Sequence, residues 1–218
     1  MDDAVATVHV VDDSKIVRVA MFRVLTYAGY RVKAYESAEA FLAEPAASSS
    51  EPAVVLTDLV MPGLDGIALI ERLSRTPAAP PVILLSAYGG VPSTVRAMKD
   101  GAVDFLEKPV QERELLDAVR RAVVRSRERI LEQQQLADVR ARYATLTLRE
   151  RQVLTLVISG LLNKQVASRL GISEKTVKVH RGHLVEKMDA QSLPDLVRIA
   201  GRLGIAVEPR GPGVGKNS

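Results

Sequence analysis

The sequence predicts two units. The front half reads as an α/β domain, a doubly wound five-stranded parallel sheet, and a long helix joins it to a small all-α helix-turn-helix domain. Three observations carry that expectation. The front half alternates short β-branched runs with segments of helical period, and the stretch Glu112 to Tyr143 contains no Gly or Pro. Residues 144–203 are helical in period, with two segments meeting at the short turn Gly171-Ile172-Ser173. At 218 residues, with 47% hydrophobic and 26% charged, each half has material for a core and wholesale disorder is excluded. Zero cysteines rule out disulfides, thiolate zinc sites and a cysteine nucleophile. The start MDDAVATVHVVDD is acidic, and no apolar run approaches the roughly 20 residues a membrane helix needs, so a soluble cytoplasmic protein is expected.

The strands are expected at Thr7–Val11, Arg31–Tyr35, Ala53–Thr57, Val82–Leu85 and Asp104–Leu106, separated by helical stretches such as Ser14–Ala28 and Asp65–Leu73. VVLTD and VILLS are apolar without alternation, as strands covered by helices on both faces must be. In such a sheet a site forms outside the carboxyl ends of the strands. Asp12 and Asp13 follow the first strand, Asp58 the third, Ser86 the fourth and Lys108 the fifth. Taken singly, the Asp12-Asp13 pair reads as a cap for a helix starting near Ser14, Asp58 as a loop acid and Lys108 as a solvated lysine. Their joint occurrence at four strand ends reads as a site. Three converging carboxylates repel unless a cation joins them, and an all-oxygen set suits a hard ion, Mg²⁺ or Mn²⁺. Asp58, ending the central strand ahead of the turn Met61-Pro62-Gly63, is the candidate nucleophile for an acyl phosphate, with Lys108 and Ser86 as partners for phosphoryl oxygens.

Asp12-Asp13, Asp58 with Met61-Pro62-Gly63, Ser86-Ala87 and Phe105-Leu106-Glu107-Lys108-Pro109 stand in the order found in response-regulator receiver domains, which residues 5–125 resemble. The resemblance implies phosphorylation of Asp58 by a sensor histidine kinase, and Mg²⁺ held by Asp12, Asp13, Asp58 and the Val60 backbone carbonyl. It implies a cis Lys108-Pro109 bond and a switch in which Ser86 moves toward the phosphoryl group while Phe105 turns inward. Phe105 stands where many relatives carry tyrosine, and plain core packing is its other reading. The segment Tyr88–Asp104, with Gly89-Gly90, Pro92 and a short helix at about Ser93–Asp100, is the element expected to move.

From Glu112 to Tyr143 good helix formers dominate, so one helix is expected, with 126–143 as linker, extending on the order of 45 Å at about 1.5 Å per residue. Leu115, Val119, Ala122, Val123, Ile130 and Ala137 form an approximate apolar stripe, which Gln133-Gln135 interrupts.

Charge divides the chain. Residues 1–125 hold 14 basic and 17 acidic residues and 126–218 hold 16 and 9, so the net +4 is an acidic front and a basic back, the distribution expected where only the back half meets a polyanion. There, helices are expected at Thr147–Ser159, Lys164–Leu170, Glu174–Met188 and Leu193–Leu203. On the third, Val177, Leu184 and Met188 share the core face. Lys175, Lys178, Val179 and Gly182 share the opposite one, which could enter a major groove. Lys164, Thr176, Arg181 and His180 could meet phosphates, and Ser173 and Thr147 could do so or cap helices. Leu146–Leu154, Asn163-Lys164 and Gly171–His180 resemble the LuxR-type helix-turn-helix over 144–205, and the whole chain resembles a FixJ/NarL-subfamily regulator. That implies Lys178 and Val179 in the groove, Lys175, Thr176 and Arg181 on the backbone, and dimerisation through Leu193, Leu196, Val197 and Ala200. Gly182 lacks the usual side chain and costs a helix roughly 1 kcal/mol relative to Ala, so either DNA approaches closely there or a base contact is missing. Residues 206–218, rich in Gly and Pro, should be disordered.

The expected function is a phosphorylation-dependent DNA-binding transcriptional regulator, not an enzyme beyond its own phosphorylation and dephosphorylation. Its partners would be promoter duplex DNA, a sensor kinase, RNA polymerase and a second copy of itself. An aspartate-nucleophile phosphohydrolase would need an acid near the nucleophile where Val60 stands, and a phosphorylation-independent regulator would make the front half an interaction module.

Overall fold

The computed structural model describes residues 5–44, 51–76, 79–87 and 101–205. The helix expected near Ser93–Asp100, most of the Tyr88–Asp104 switch segment and the tail from 206 lie outside them. The chain divides into two compact units, residues 1–133 and 134–218.

In the first unit, β1 (Thr7–Val11), β2 (Arg31–Tyr35), β3 (Ala53–Asp58), β4 (Val82–Ser86) and β5 (Asp104–Glu107) form one parallel sheet in the order β2-β1-β3-β4-β5. Helices α1 (Lys15–Tyr27), α2 (Ala38–Ala43), α3 (Gly66–Ser74) and α4 (Glu112–Ala144) follow their strands. Alternate residues of each strand serve opposite faces. Val8, Val10, Val54, Leu56, Ile83 and Leu85 pack with Leu25 of α1 and with Leu115, Val119 and Ala122 of α4. Val11, Val55 and Leu84 pack with Leu69 and Ile70 of α3. This double coverage is why β1 and β4 carry no exposed residue, while edge strand β2 is largely exposed.

Strand order reverses between β1 and β3, which leaves a crevice at their carboxyl ends. The last three strands each run one residue further than their apolar runs, because the parallel ladder continues. Asp58 pairs with Leu85 and Ser86 with Glu107. Asp58 and Ser86 are therefore held by strand backbone, while Asp12 and Lys108 follow directly on β1 and β5, their N–H groups donating to the Tyr35 and Ser86 carbonyls at 3.2 and 2.7 Å.

Helix α4 keeps to the first unit beyond residue 125. The Ala53 N–H donates to Ser126 Oγ at 3.1 Å, and Arg129 donates to the Ala79 carbonyl at 3.0 Å. The expected stripe holds at Leu115, Val119, Ala122 and Val123, but Ala137 is exposed and Val139 is buried instead. Val139 lies on a different face of the helix from Leu115 and is buried because it joins the core of the second unit, with Leu146 and Val153.

The second unit contains α5 (Leu148–Ile158), α6 (Asn163–Leu170), α7 (Glu174–Met188) and α8 (Leu193–Arg202) around Val153, Leu154, Val166, Val177, Leu184, Met188, Leu196 and Ala200. A capping box starts α5: Thr147 Oγ1 accepts from the Glu150 N–H, and the Thr147 N–H donates to Glu150 Oε2 at 2.8 Å. Burial pushes the Glu150 carboxyl up, but Lys187 at 2.8 Å and the Thr147 bonds outweigh it and hold it below the usual carboxylate range. The expected dimer stripe needs correction. Leu196 and Ala200 are fully buried in this core, so only Leu193 and Val197, 39% and 38% exposed, are open to another molecule.

Among the polar residues buried in the first unit is a histidine. His9 of β1 is 5% exposed, stacks on Tyr35, meets the edge of Phe41 and bonds the Tyr35 hydroxyl at 3.1 Å. Burial chiefly, with the charge of Lys33, lowers its pKa from 6.5 to about 4, against an opposing pull from Glu44. The unfolded chain therefore binds a proton between those values that the folded chain refuses, so stability falls as pH drops. At pH 5 the expected loss relative to pH 7.5 is about 2 kcal/mol, measured by urea unfolding, and His9→Gln should remove that part of the slope. Identical slopes in the two proteins would remove His9 from the account.

Candidate functional site

The Asp12, Asp13 and Asp58 carboxylates each present an oxygen within 4.8 Å of the others. Their exposures differ in a useful way: Asp12 is buried, Asp58 half-buried and Asp13 exposed. Lys108, which follows β5, donates to Asp12 Oδ2 at 2.7 Å and Asp58 Oδ2 at 2.6 Å. Burial disfavours its ammonium, and the bonds and charges of Asp12 and Asp58 more than offset that, raising its pKa above the ordinary lysine value. The formal balance of three carboxylates against one ammonium is −2, which a divalent cation cancels, and the all-oxygen donor set fits Mg²⁺.

Local structure aims these groups. The Asp12-Asp13 pair is not the helix cap: Ser14 occupies the cap position of α1, and its N–H donates to Asp12 Oδ1 at 2.9 Å. Arg18, from the first turn and a half of α1, donates to the carbonyls of Asp12 and Asp13 at 2.7 and 3.0 Å and so fixes the turn that presents both acids. The Val60 N–H lies 3.4 Å from Asp58 Oδ1, while its side chain is 62% exposed. Gly66 opens α3 directly against Asp58: a Cβ there would sit 2.4 Å from the Asp58 carbonyl and 2.7 Å from Leu84, so no side chain is tolerated. Ser86 is buried at the end of β4, and its carbonyl accepts from the Lys108 N–H at 2.7 Å. Phe105 is half-buried, packed on the cluster beneath α3, and the Lys108-Pro109 bond is cis.

Sequence reasoning placed Asp12, Asp13, Asp58 and Lys108 together and missed Arg18 and Gly66. Arg18 carries no pattern of its own, since a basic residue on a surface helix is ordinary, and Gly66 has only the weak signal of a glycine just inside a helix start.

In the second unit, Gly171 at φ 65 closes α6 and Ser173 caps α7, accepting from the Thr176 N–H at 3.0 Å. Lys175, Lys178, Val179 and Gly182 are all exposed on α7, opposite the buried Val177, Leu184 and Met188, and Lys164 is exposed on α6. Three of the residues expected to contact phosphates are engaged within the fold. The Thr176 and Ser173 hydroxyls bond each other at 2.8 Å, and Arg181 donates to Asn163 Oδ1 at 3.1 Å, tying α7 to α6. His180 is half-buried.

Two family models match. Residues 8–120 match the response regulator receiver domain and residues 144–200 the LuxR family of bacterial regulatory proteins. The transcriptional regulatory protein FixJ of Rhizobium meliloti is 44% identical over 194 residues, spanning 89% of this chain and 94% of that protein. Among solved structures, the response regulator StyR has a TM-score of 0.73 at 39% identity, covering 91% of this chain and 100% of that one. Full-length FixJ from B. japonicum has a TM-score of 0.53 at 38% identity, covering 92% and 98%. Among the described residues no helix is long and apolar enough to cross a membrane.

Removing the lysine leaves Asp12 and Asp58 facing each other without their cation. Lys108→Met should lower stability by about 2 kcal/mol in chelator, and Mg²⁺ should restore most of it. Urea midpoints with and without Mg²⁺ measure this, and equal losses in both conditions would mean that the lysine does not balance the acidic cluster.

Proposed function

The chain belongs to the response regulators that join a receiver domain to a LuxR-type DNA-binding domain, the FixJ/NarL subfamily, and on that premise we propose how its own residues carry out phosphorylation-dependent transcriptional regulation. One observation carries the reading: an acid at the end of β3 is grouped with two more acids and gripped by Lys108, in a chain whose other unit presents a basic helix face.

Asp58 is the acceptor. A carboxylate oxygen attacks the phosphorus of a phosphohistidine on the sensor kinase; the new O–P bond forms as the P–N bond breaks, and the imidazole, already protonated on its other ring nitrogen, leaves as the neutral base. Asp12, Asp13, Asp58 and the Val60 carbonyl would hold Mg²⁺, or Mn²⁺, which would supply positive charge to offset the carboxylates and the incoming phosphoryl group. Lys108, already 2.6 Å from Asp58 Oδ2, transfers its hydrogen bond to a phosphoryl oxygen, and the Ser86 hydroxyl supplies a second donor. The modification adds about −1.5 to −2 charge at the strand ends. Phe105, partly covered, completes the change by turning inward. Turnover is confined to the chain's own acyl phosphate: Val60 is hydrocarbon and offers no acid for a leaving group.

On promoter DNA, Lys178 and Val179 lie in the major groove, with Lys175 and Lys164 on phosphates. Ser173 and Thr176 act first through the cap they share, and Arg181 acts partly by fixing α6 against α7. Dimerisation uses Leu193 and Val197, and the assembled dimer meets RNA polymerase.

Asp58→Ala should abolish acyl-phosphate formation with acetyl phosphate and Mg²⁺, read by intact-mass analysis; undiminished labelling would move the acceptor elsewhere. Lys178→Ala should weaken binding to a selected duplex by about 1 to 3 kcal/mol more than binding to random duplex. An equal loss on both would reduce Lys178 to a phosphate contact.

A further inference from the structure

Gly182 lies in the interior of α7, where glycine is the poorest helix former short of proline. Nothing inside the protein calls for it. A Cβ built there meets no atom within 4 Å among the described residues, and the backbone is ordinary right-handed helix. The contrast with Gly66, where a Cβ would collide with the Asp58 carbonyl, shows what an internal requirement looks like. The position is also specific. Lys175, Lys178, Val179 and Gly182 are spaced three, four and seven residues apart and form one exposed stripe. The next residue along it is Glu186, also exposed, whose carboxylate would repel a polyanion. Gly182 therefore falls where a basic stripe gives way to an acidic residue, the point at which a helix lying in a groove would leave it past a phosphate strand.

We infer that the duplex passes in contact with Gly182, and that α7 omits a side chain there so that the helix backbone can approach the DNA. This rests on the reading of α7 as the DNA-facing helix. It selects between two roles for the residue: close approach, rather than a base contact that is simply missing. A side chain at 182 would improve the helix and obstruct the complex, so stability and DNA affinity should move in opposite directions.

The test uses the full-length protein treated with phosphodonor and a duplex that the parent protein selects from a random pool. Gly182→Ala should raise the midpoint of thermal unfolding and bind that duplex about tenfold more weakly, and the longer Gly182→Leu should bind more weakly still. Lys178→Ala runs alongside. If Lys178→Ala weakens binding while both Gly182 variants bind as tightly as the parent, close approach is overturned and the reading of α7 stands. If none of the three changes affinity, the reading of α7 falls and this inference falls with it.

Discussion

Three carboxylates share the crevice at the end of the sheet with a single ammonium, and the local charge they leave must be met from outside the chain. The parallel strands make this unavoidable. They deliver Asp12 from just beyond β1, Asp58 from β3 and Lys108 from just beyond β5 to one edge, and the ladder fixes each to within a residue. Asp58 cannot relax away because it is paired within the ladder, and Asp12 and Lys108 are tied to it by backbone bonds to the Tyr35 and Ser86 carbonyls. Arg18 and the Ser14 N–H hold the Asp12-Asp13 turn, and Gly66 lets α3 close on the Asp58 backbone. The result is a site held ready for a divalent ion and a phosphoryl group, with Lys108 bridging two acids in the meantime.

Much of this was legible in the sequence because it depends on the order of residues along strands. An apolar run followed by an acid, repeated at successive strands, places the acids at one edge once the sheet is parallel. Asp12, Asp13 and Asp58 follow from that rule, and Lys108, the base after the fifth strand, falls at the same edge for the same reason. Gly66 and Arg18 do not, since each acts on backbone that no side-chain pattern marks: the Asp58 carbonyl in one case, a turn five residues back in the other. His9 was equally invisible, a polar residue inside an apolar run whose partner, Tyr35, belongs to the neighbouring strand.

The second unit shows a different limit. Period alone gives α8 an apolar face, but it does not say whether the face meets the chain's own core or another molecule. Leu196 and Ala200 turn out to be core, and Leu193 and Val197 are the part left over. Arg181 is a similar case: a basic residue on a DNA-binding helix looks like a phosphate contact, yet its guanidinium is engaged with Asn163. The cap shared by Ser173 and Thr176 likewise shows the fold using groups that the pattern alone would hand to DNA.

The central claim is that a phosphoryl group in the crevice governs how strongly the basic helix holds DNA. The most direct test follows one full-length sample through phosphorylation by acetyl phosphate with Mg²⁺ and subsequent hydrolysis, measuring acyl-phosphate content and affinity for a selected duplex together. Affinity should rise with the phosphorylated fraction, by a factor of about 5 to 150 at full occupancy, and fall back as the acyl phosphate is lost. Full phosphorylation with no change in affinity would contradict the account.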